Sequence, residues 1–392
     1  MNLLSAVEDR IEQARSMAGP PYALPWSSFA EFFRARVHDP DLVDRTVLTY
    51  YDDEAGVRRS YTYAEFGTLV EATAVFLRER LALRRGDRIA TILFNHDLTV
   101  LLYFAAWRLG VAVVPINAEE SLEKKRYIIE HSEAAAVVCR PEWYDELVQF
   151  QDELPSLRDV VVLGEEGFGK AAHHTTKAAA AKEQEARLAF SPRLENEALI
   201  IYTSGTTGPP KGVVLTIANL LVDADAIAEW HGFGPGDRLM CVLPIHHVNG
   251  IVVTLVTPFY CKGGIVLNRK FKTGAFWRRL HEEQVTCVSV VPTLLEFLLS
   301  ADEDIARYRL DRFVGPICGA GPLLKDTAVR FEERFRFPIR HGYGLSETTC
   351  YSCFLPNDLS PDAHRRWIRD QEFPSIGLPL RHNEMAILDD KG

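Results

Sequence analysis

"DRIATILFNHDLTVLLYFAAWRLGVAVVPI", Asp87 to Ile116, decides the fold class. Two apolar runs, "DRIATILF" and "VAVVPI", flank a helical apolar pattern from Leu98 to Leu109 that stops at Gly110. Strands that are apolar on both faces and joined by a helix belong in a parallel sheet covered on both sides. Leu98 to Ile116 is also the most membrane-like part of the chain, but Arg108 and Gly110 interrupt it and Pro115 ends it. A buried helix turning into a buried strand is therefore expected, and no integral membrane segment.

Working outward, "SLEKKRYIIEHS" reads as an amphipathic helix and "AAAVVC" as another strand. The rhythm resumes with "HEEQVTCVSVVPTLLEFLLS" (strand, helix), "RFVGPICGAGPLL" (strand, glycine-rich turn) and "RFEERFRFPIRHGYGLSETT" (helix, short strand, glycine turn). The expected architecture is α/β, with two parallel-sheet α/β subdomains packed together. The first spans approximately 44–190 with its connector and the second 191–355. An incomplete small β-rich subdomain is expected over 374–392, where "SIGLPLRHNEMAILDDKG" looks like short strands joined by turns. Between the halves, Gly164 to Phe190 is polar and alanine-rich and reads as an exposed connector; His173 and His174 inside it lack metal-ligand spacing.

The chain has 392 residues, 47% hydrophobic and 25% charged, enough to bury more than one core. A formal charge of −10 without a Lys/Arg stripe speaks against nucleic acid as a partner. Seven scattered cysteines argue against a disulfide framework and for a reducing, cytoplasmic compartment. Cys350 and Cys353 form a lone C-x-x-C with no second pair to complete a zinc site. Near the N-terminus, Glu8, Asp9 and Glu12 stand where a signal peptide needs an apolar core, so no targeting segment is read there.

"YTSGTTGPPKG", Tyr202 to Gly212, follows the apolar run Ala198 to Ile201. Gly205, Gly208 and Gly212 relax the backbone so that N–H groups can converge on an anion, Thr203, Ser204, Thr206 and Thr207 add hydroxyl donors, and Lys211 adds a mobile positive charge. This composition suits a polyphosphate. It does not fit G-x-x-x-x-G-K-[ST], because Lys211 is followed by Gly212.

The loop resembles the signature of the adenylate-forming superfamily, which includes acyl- and aryl-CoA synthetases, luciferases and peptide-synthetase adenylation domains. Further segments match in the family's order: "YTYAEF" at 61–66, "WRLGVAVVPIN" at 107–117, "PIHHVNG" at 244–250, "CGAGPL" at 318–323 and "YGLSET" at 343–348. The resemblance is closest to acyl- or aryl-CoA synthetases. It implies that a carboxylate attacks the α-phosphorus of ATP, that pyrophosphate leaves, and that the acyl-adenylate passes to coenzyme A or, alternatively, to an acyl carrier protein. Positioning and electrostatic stabilisation dominate such chemistry.

The resemblance further implies that Thr203, Ser204, Gly205, Thr206, Thr207, Gly208 and Lys211 cradle the phosphates, and that Glu347 with Thr206 holds Mg²⁺. Ser346 stands where threonine is more usual. Gly319, Ala320 and Gly321 would lie against adenine, with Tyr343, flanked by Gly342 and Gly344, stacking on it and His341 near its exocyclic amine. His247 would border and gate the carboxylate. The acid pocket would be lined by Val248, Asn249, Gly250, Val291, Pro292, Cys318, Thr348 and Cys350, which suggests a bulky apolar or aromatic acid. No Asp or Glu lies between Pro244 and Pro258 to pair with an α-ammonium, which speaks against amino-acid substrates.

Two departures stand out. Ile217 occupies a place where the family usually has histidine. The ribose-binding T-G-D motif, the hinge and the mobile C-terminal lid with its lysine do not occur in the sequence. The expectation is thus an N-terminal core of a longer ligase, poorly active alone. Alternatives are a thioester-forming enzyme acting on preformed acyl-adenylate, and a nucleotide- and acid-binding module without turnover.

Overall fold

The computed structural model describes residues 23–164, 167, 193–203 and 208–386. Helix α1 (Phe29–Val37) starts at Ser28, whose hydroxyl accepts from the Glu31 amide. An antiparallel pair follows, β1 (Thr46–Asp52) and β2 (Val57–Thr62). Helix α2 (Tyr63–Glu79) opens on a reciprocal capping box between Thr62 and Glu65. Then come β3 (Arg88–Ile92), α3 (Asp97–Leu109) and β4 (Ala112–Pro115), as the opening stretch requires. Gly110, at φ 72°, ends α3 in the left-handed conformation and sends the chain directly into β4. Next are α4 (Leu122–His131), β5 (Ala136–Cys139), α5 (Pro141–Val148) and β6 (Asp159–Val162).

Beyond the connector, β7 (Glu197–Thr203) and β8 (Lys211–Thr216) are antiparallel and lead into α6 (Ile217–His231). Strand β9 (Arg238–Cys241) precedes a π-helical segment, Asn249–Val256, which runs into α7 (Thr257–Tyr260). The rest alternates: β10 (Gly264–Asn268), α8 (Thr273–Glu282), β11 (Cys287–Val290), α9 (Pro292–Ser300), β12 (Pro316–Cys318), α10 (Lys325–Phe335), β13 (Arg340–Tyr343), β14 (Cys353–Phe354), α11 (Pro361–Arg369) and β15 (Leu378–Pro379).

These strands form two sheets. A six-stranded sheet has the order β6-β5-β3-β4-β7-β8, and a nine-stranded sheet has the order β15-β14-β13-β12-β11-β9-β10-β1-β2. All internal pairings are parallel, and antiparallel strands occur only toward the sheet edges. Sheet membership does not follow chain order. Strands β1 and β2 join the sheet of the second half, through Leu48 opposite Ile265, while β7 and β8 join that of the first, through Val113 opposite Leu199. The ranges 44–190 and 191–355 therefore do not coincide with the two sheets. Over the expected β-rich tail, β15 extends the nine-stranded sheet, and residues 387–392 lie outside the described ones.

The strand period of two divides the apolar side chains among three cores. Val113, Ile89, Leu239, Cys241, Ile265 and Leu267 point into one central cluster. Their neighbours Ala90, Ala112 and Val114 face a second cluster behind the six-stranded sheet, and Met240, Val266 and Val288 face a third behind the nine-stranded one. The result is helices, sheet, helices, sheet, helices. The central layer is aromatic: Phe29, Phe33, Phe66, Phe104 and Phe259 are buried, and Phe104 meets Phe259 edge-to-face at 5.0 Å. Burying each such ring stabilises the fold by about 1.5–3 kcal/mol, so this layer holds the two sheets at a fixed spacing.

Candidate active site

The parallel strands β9, β11, β12 and β13 are neighbours in one sheet, so the segments that leave them emerge on one edge. These segments are Pro244–Val248, Val291–Pro292, Gly319–Gly321 and Gly344–Thr349, and such an edge is where open parallel sheets bind ligands. Strand β8 of the other sheet packs against the 3₁₀ turn Ser346–Thr348. The strand that starts at Lys211 thus comes up to the turn that carries Glu347, in a crevice between the sheets. Thr203 closes β7 directly opposite Lys211, Gly208 and Lys211 are exposed, and Ser204, Gly205, Thr206 and Thr207 lie outside the described residues.

At the end of β13, Tyr343 leaves the sheet with its ring 41% exposed, while His341 and Gly342 are buried. His341 Nδ1 lies 2.8 Å from the Ser375 carbonyl, which can only accept, so Nδ1 carries the proton and Nε2 keeps an acceptor lone pair. Burial lowers the pKa of this ring, which keeps it neutral. Gly344 is pressed against the returning strand, because a Cβ there would overlap the Cys350 carbonyl oxygen. Glu347 is exposed and no cation pairs with it among the described residues. Magnesium beside phosphates takes one or two carboxylates and keeps water and phosphate oxygens as its other ligands, so an exposed, unpaired carboxylate fits it. Among the described residues no group of three or more acidic, His or Cys side chains forms a self-sufficient metal site.

Thr349 follows at φ 75° and ψ −64°, a region that a β-branched residue adopts at about 1–3 kcal/mol. Its surroundings fix it there: the Tyr351 amide donates to buried Asp223 at 3.3 Å, and the Ser352 amide to the Tyr343 carbonyl at 2.8 Å.

On the β9 side, Ile245 is pinned from the opposite sheet. Asn95 Oδ1 accepts from the Ile245 amide at 2.9 Å, and the Tyr103 hydroxyl donates to the Ile245 carbonyl at 3.1 Å. Asn95 Nδ2 also donates to Leu243 and Asn268 carbonyls, at 2.9 and 3.1 Å. His246 and His247 follow, with ring centroids 4.4 Å apart. Partial desolvation pushes half-buried His246 down to about 3 and lowers His247, whose residue is exposed, against a smaller pull from Glu120. Both rings are therefore neutral at pH 7. Gly250 is the second residue of the π-helical segment, and a Cβ there would stand 2.5 Å from the Pro244 carbonyl oxygen.

The residues expected to line the acid pocket divide into two groups. Val248, Val291 and Pro292 are half-buried and Thr348 is exposed, so these face the crevice. Asn249 and Gly250 are buried, Cys318 belongs to the outer apolar core and Cys350 to the central one. All seven cysteines are free thiols, and burial raises the Cys350 and Cys353 pKa values. Ile217 starts α6 as a core residue, behind a capping box between Thr216 and Asn219. Sequence reasoning did not single out Asn95, Tyr103, Ser289 or Tyr351. The one signal for Asn95 was a polar residue closing an apolar strand.

A family model described as AMP-binding enzyme matches residues 36–392. A sulfoacetate–CoA ligase of Cupriavidus necator is 30% identical over 316 residues, covering 80% of this chain and 58% of that protein. A crotonobetaine/carnitine–CoA ligase of Salmonella typhimurium is 29% identical over 356 residues, covering 89% of this chain and 65% of that one. The chain thus spans 58 to 65% of the length of these relatives. The crystal structure of ATP-bound MatB from Rhodopseudomonas palustris superposes with a TM-score of 0.73 at 26% identity, covering 90% of this chain and 64% of that one.

Proposed function

The chain belongs to the AMP-binding enzyme family, and from that membership we propose that it carries the nucleotide and acid sites of an acid–thiol ligase. In the proposed reaction ATP and a carboxylic acid give acyl-AMP and pyrophosphate, and the acyl group then passes to coenzyme A. The observation that carries this reading is the convergence, on one crevice, of the Gly319–Gly321 turn, exposed Tyr343, exposed Glu347 and the strand that starts at Lys211. Coenzyme A is preferred to a carrier protein as acceptor because the relatives are named CoA ligases. Seven free thiols support a reducing, cytoplasmic setting.

The proposed roles follow from the chemistry of each group. Tyr343 stacks on adenine, and the Nε2 lone pair of His341 accepts from the exocyclic amine. Lys211, with Thr203 and the loop residues 204–208, offsets phosphate charge and favours departure of pyrophosphate. Mg²⁺, held by Glu347 with Thr206, would neutralise charge that builds on the phosphate oxygens. The neutral ring of His247 borders the acid, so the carboxylate keeps its nucleophilic lone pairs free of an ion pair. Residues 244–258 bring no carboxylate to the site, which fits an acid without an α-ammonium group.

The test is a titration of the chain with ATP, AMP and Mg²⁺ by calorimetry, alongside acid-dependent pyrophosphate release. Lys211→Ala and Glu347→Gln are expected to weaken ATP binding about tenfold or more, with Glu347→Gln also abolishing the effect of added Mg²⁺. A folded protein that binds neither ATP nor AMP refutes the proposal. Binding without any turnover, in this chain and in one extended past Gly392, would make it a binding module.

A further inference from the structure

We infer that Tyr351 closes the inner end of the acid site, so that the protein takes short-chain carboxylic acids and excludes aromatic and long-chain ones. The inference rests on the adenylation reading and replaces the bulky or aromatic acid expected from sequence. Tyr351 is 2% exposed and directly follows Cys350, one of the residues expected to line the acid pocket. Asn249 Nδ2 donates to its hydroxyl at 3.2 Å, and the buried Ser289 Oγ donates to Asn249 Oδ1 at 2.5 Å. A Cβ on Gly319 would overlap the same hydroxyl, so the phenol occupies the space behind the turn that follows β12. Its ring stacks on Phe354 at 4.3 Å and 28°. The Tyr351 phenol is thus wedged between the ends of β11 and β12 and the π-helical segment, on the inner side of the segments proposed to hold the acid.

The ring cannot yield cheaply. Its main chain is held by Asp223 and follows the strained Thr349, so the backbone has little freedom to retreat. Swinging the side chain out would break the bond to Asn249 and leave a buried amide short of a partner. Val248, Val291 and Pro292 are half-buried and Thr348 is exposed, so an acyl group that stays beside them avoids the packed ring, whereas a longer or aromatic one needs a displaced neighbour.

The probes are AMP and three acyl-sulfamoyl adenosines, propionyl, octanoyl and benzoyl, titrated against the whole chain by calorimetry. Wild type is expected to bind the propionyl compound at least about tenfold more tightly than the octanoyl or benzoyl ones. Tyr351→Ala should raise benzoyl affinity about tenfold or more while AMP affinity stays within about twofold, and Tyr351→Phe, which keeps the ring, should still exclude benzoyl. Unchanged AMP binding shows that each variant is folded. Equal affinity for propionyl and benzoyl compounds in the wild type overturns the inference and leaves the adenylation reading standing. Failure to bind AMP overturns both.

Discussion

Asp97→Asn is expected to destabilise the protein by about 3 kcal/mol at pH 7, and the loss should shrink in acid. Asp97 opens α3 and is fully buried. Its carboxylate takes a two-pronged contact from Arg59 on β2, at 2.6 and 2.8 Å, a hydrogen bond from Tyr61 at 2.5 Å and the Nδ1 of His96 at 2.8 Å. The group therefore ties the six-stranded layer to the edge of the nine-stranded sheet. The asparagine keeps the shape but leaves Arg59 without a counter-ion and turns an amide N–H₂ toward donors. Removing one partner of a buried pair costs about 3–5 kcal/mol, and Arg59, whose side chain is 34% exposed, recovers part of this through hydration, which places the estimate at the lower end. For a chain of this length that corresponds to a fall of about 4 °C in Tm. Burial alone would raise the Asp97 pKa, but bonds from His96, Arg59 and Tyr61 outweigh it and hold the carboxyl well below the usual range. A depressed carboxylate contributes stability above its unfolded value, near about 4, and loses that contribution as pH falls toward the folded value. Urea unfolding of both proteins should therefore show a gap that is flat from about pH 8 to 5 and narrows below about pH 4. A gap under about 1 kcal/mol at pH 7, or one that widens on acidification, would refute the reasoning.

Other outcomes follow from the same contacts. Gly344→Ala should cost more than about 3 kcal/mol, or prevent folding, because its methyl group meets main chain at Cys350 and not a side chain that can rotate; thermal melts followed by circular dichroism check this. Tyr343→Ala should change stability by under about 1 kcal/mol, its ring being exposed, while weakening AMP binding about tenfold, measured by calorimetry. Asn95→Ala strands the Ile245 amide and two carbonyls and should cost about 2–4 kcal/mol, with faster amide hydrogen exchange over Ile245 to Val248. Burial holds His246 near 3, so the unfolded chain binds a proton that the native one refuses and stability falls as pH drops below about 6.5. His246→Asn should flatten that decline between about pH 6 and 4 in urea titrations.

The fold class was legible because its signals are local. In Asp87 to Cys139 the apolar pattern alternates between runs and helical spacing, and Gly110 supplies the turn at φ 72° that joins α3 to β4. The placement of the residues proposed for the nucleotide was legible for the same reason, since glycine turns and their neighbours in sequence carry them, and the chain puts Gly319–Gly321, Tyr343 and Glu347 along one sheet edge. Where the acid would sit, local pattern was a poorer guide: Cys318 and Cys350, expected beside it from their place next to motif residues, are buried in apolar cores, and Tyr351 packs behind Gly319.

By itself, then, the sequence determined the βα units, the turns between them and the chemical groups offered to a nucleotide, because spacing of two or about 3.6 residues and positive φ at glycine are properties of adjacent residues. Only the tertiary structure decided which sheet each strand joins, how Asn95 and Asp97 bind one layer to the other, and where the Tyr351 ring packs. Leu48 pairs with Ile265, Asn95 with Ile245 and Asn249 with Tyr351. Such contacts depend on close packing of residues far apart in the chain, where one ring fills or empties a pocket, and no local pattern encodes that volume.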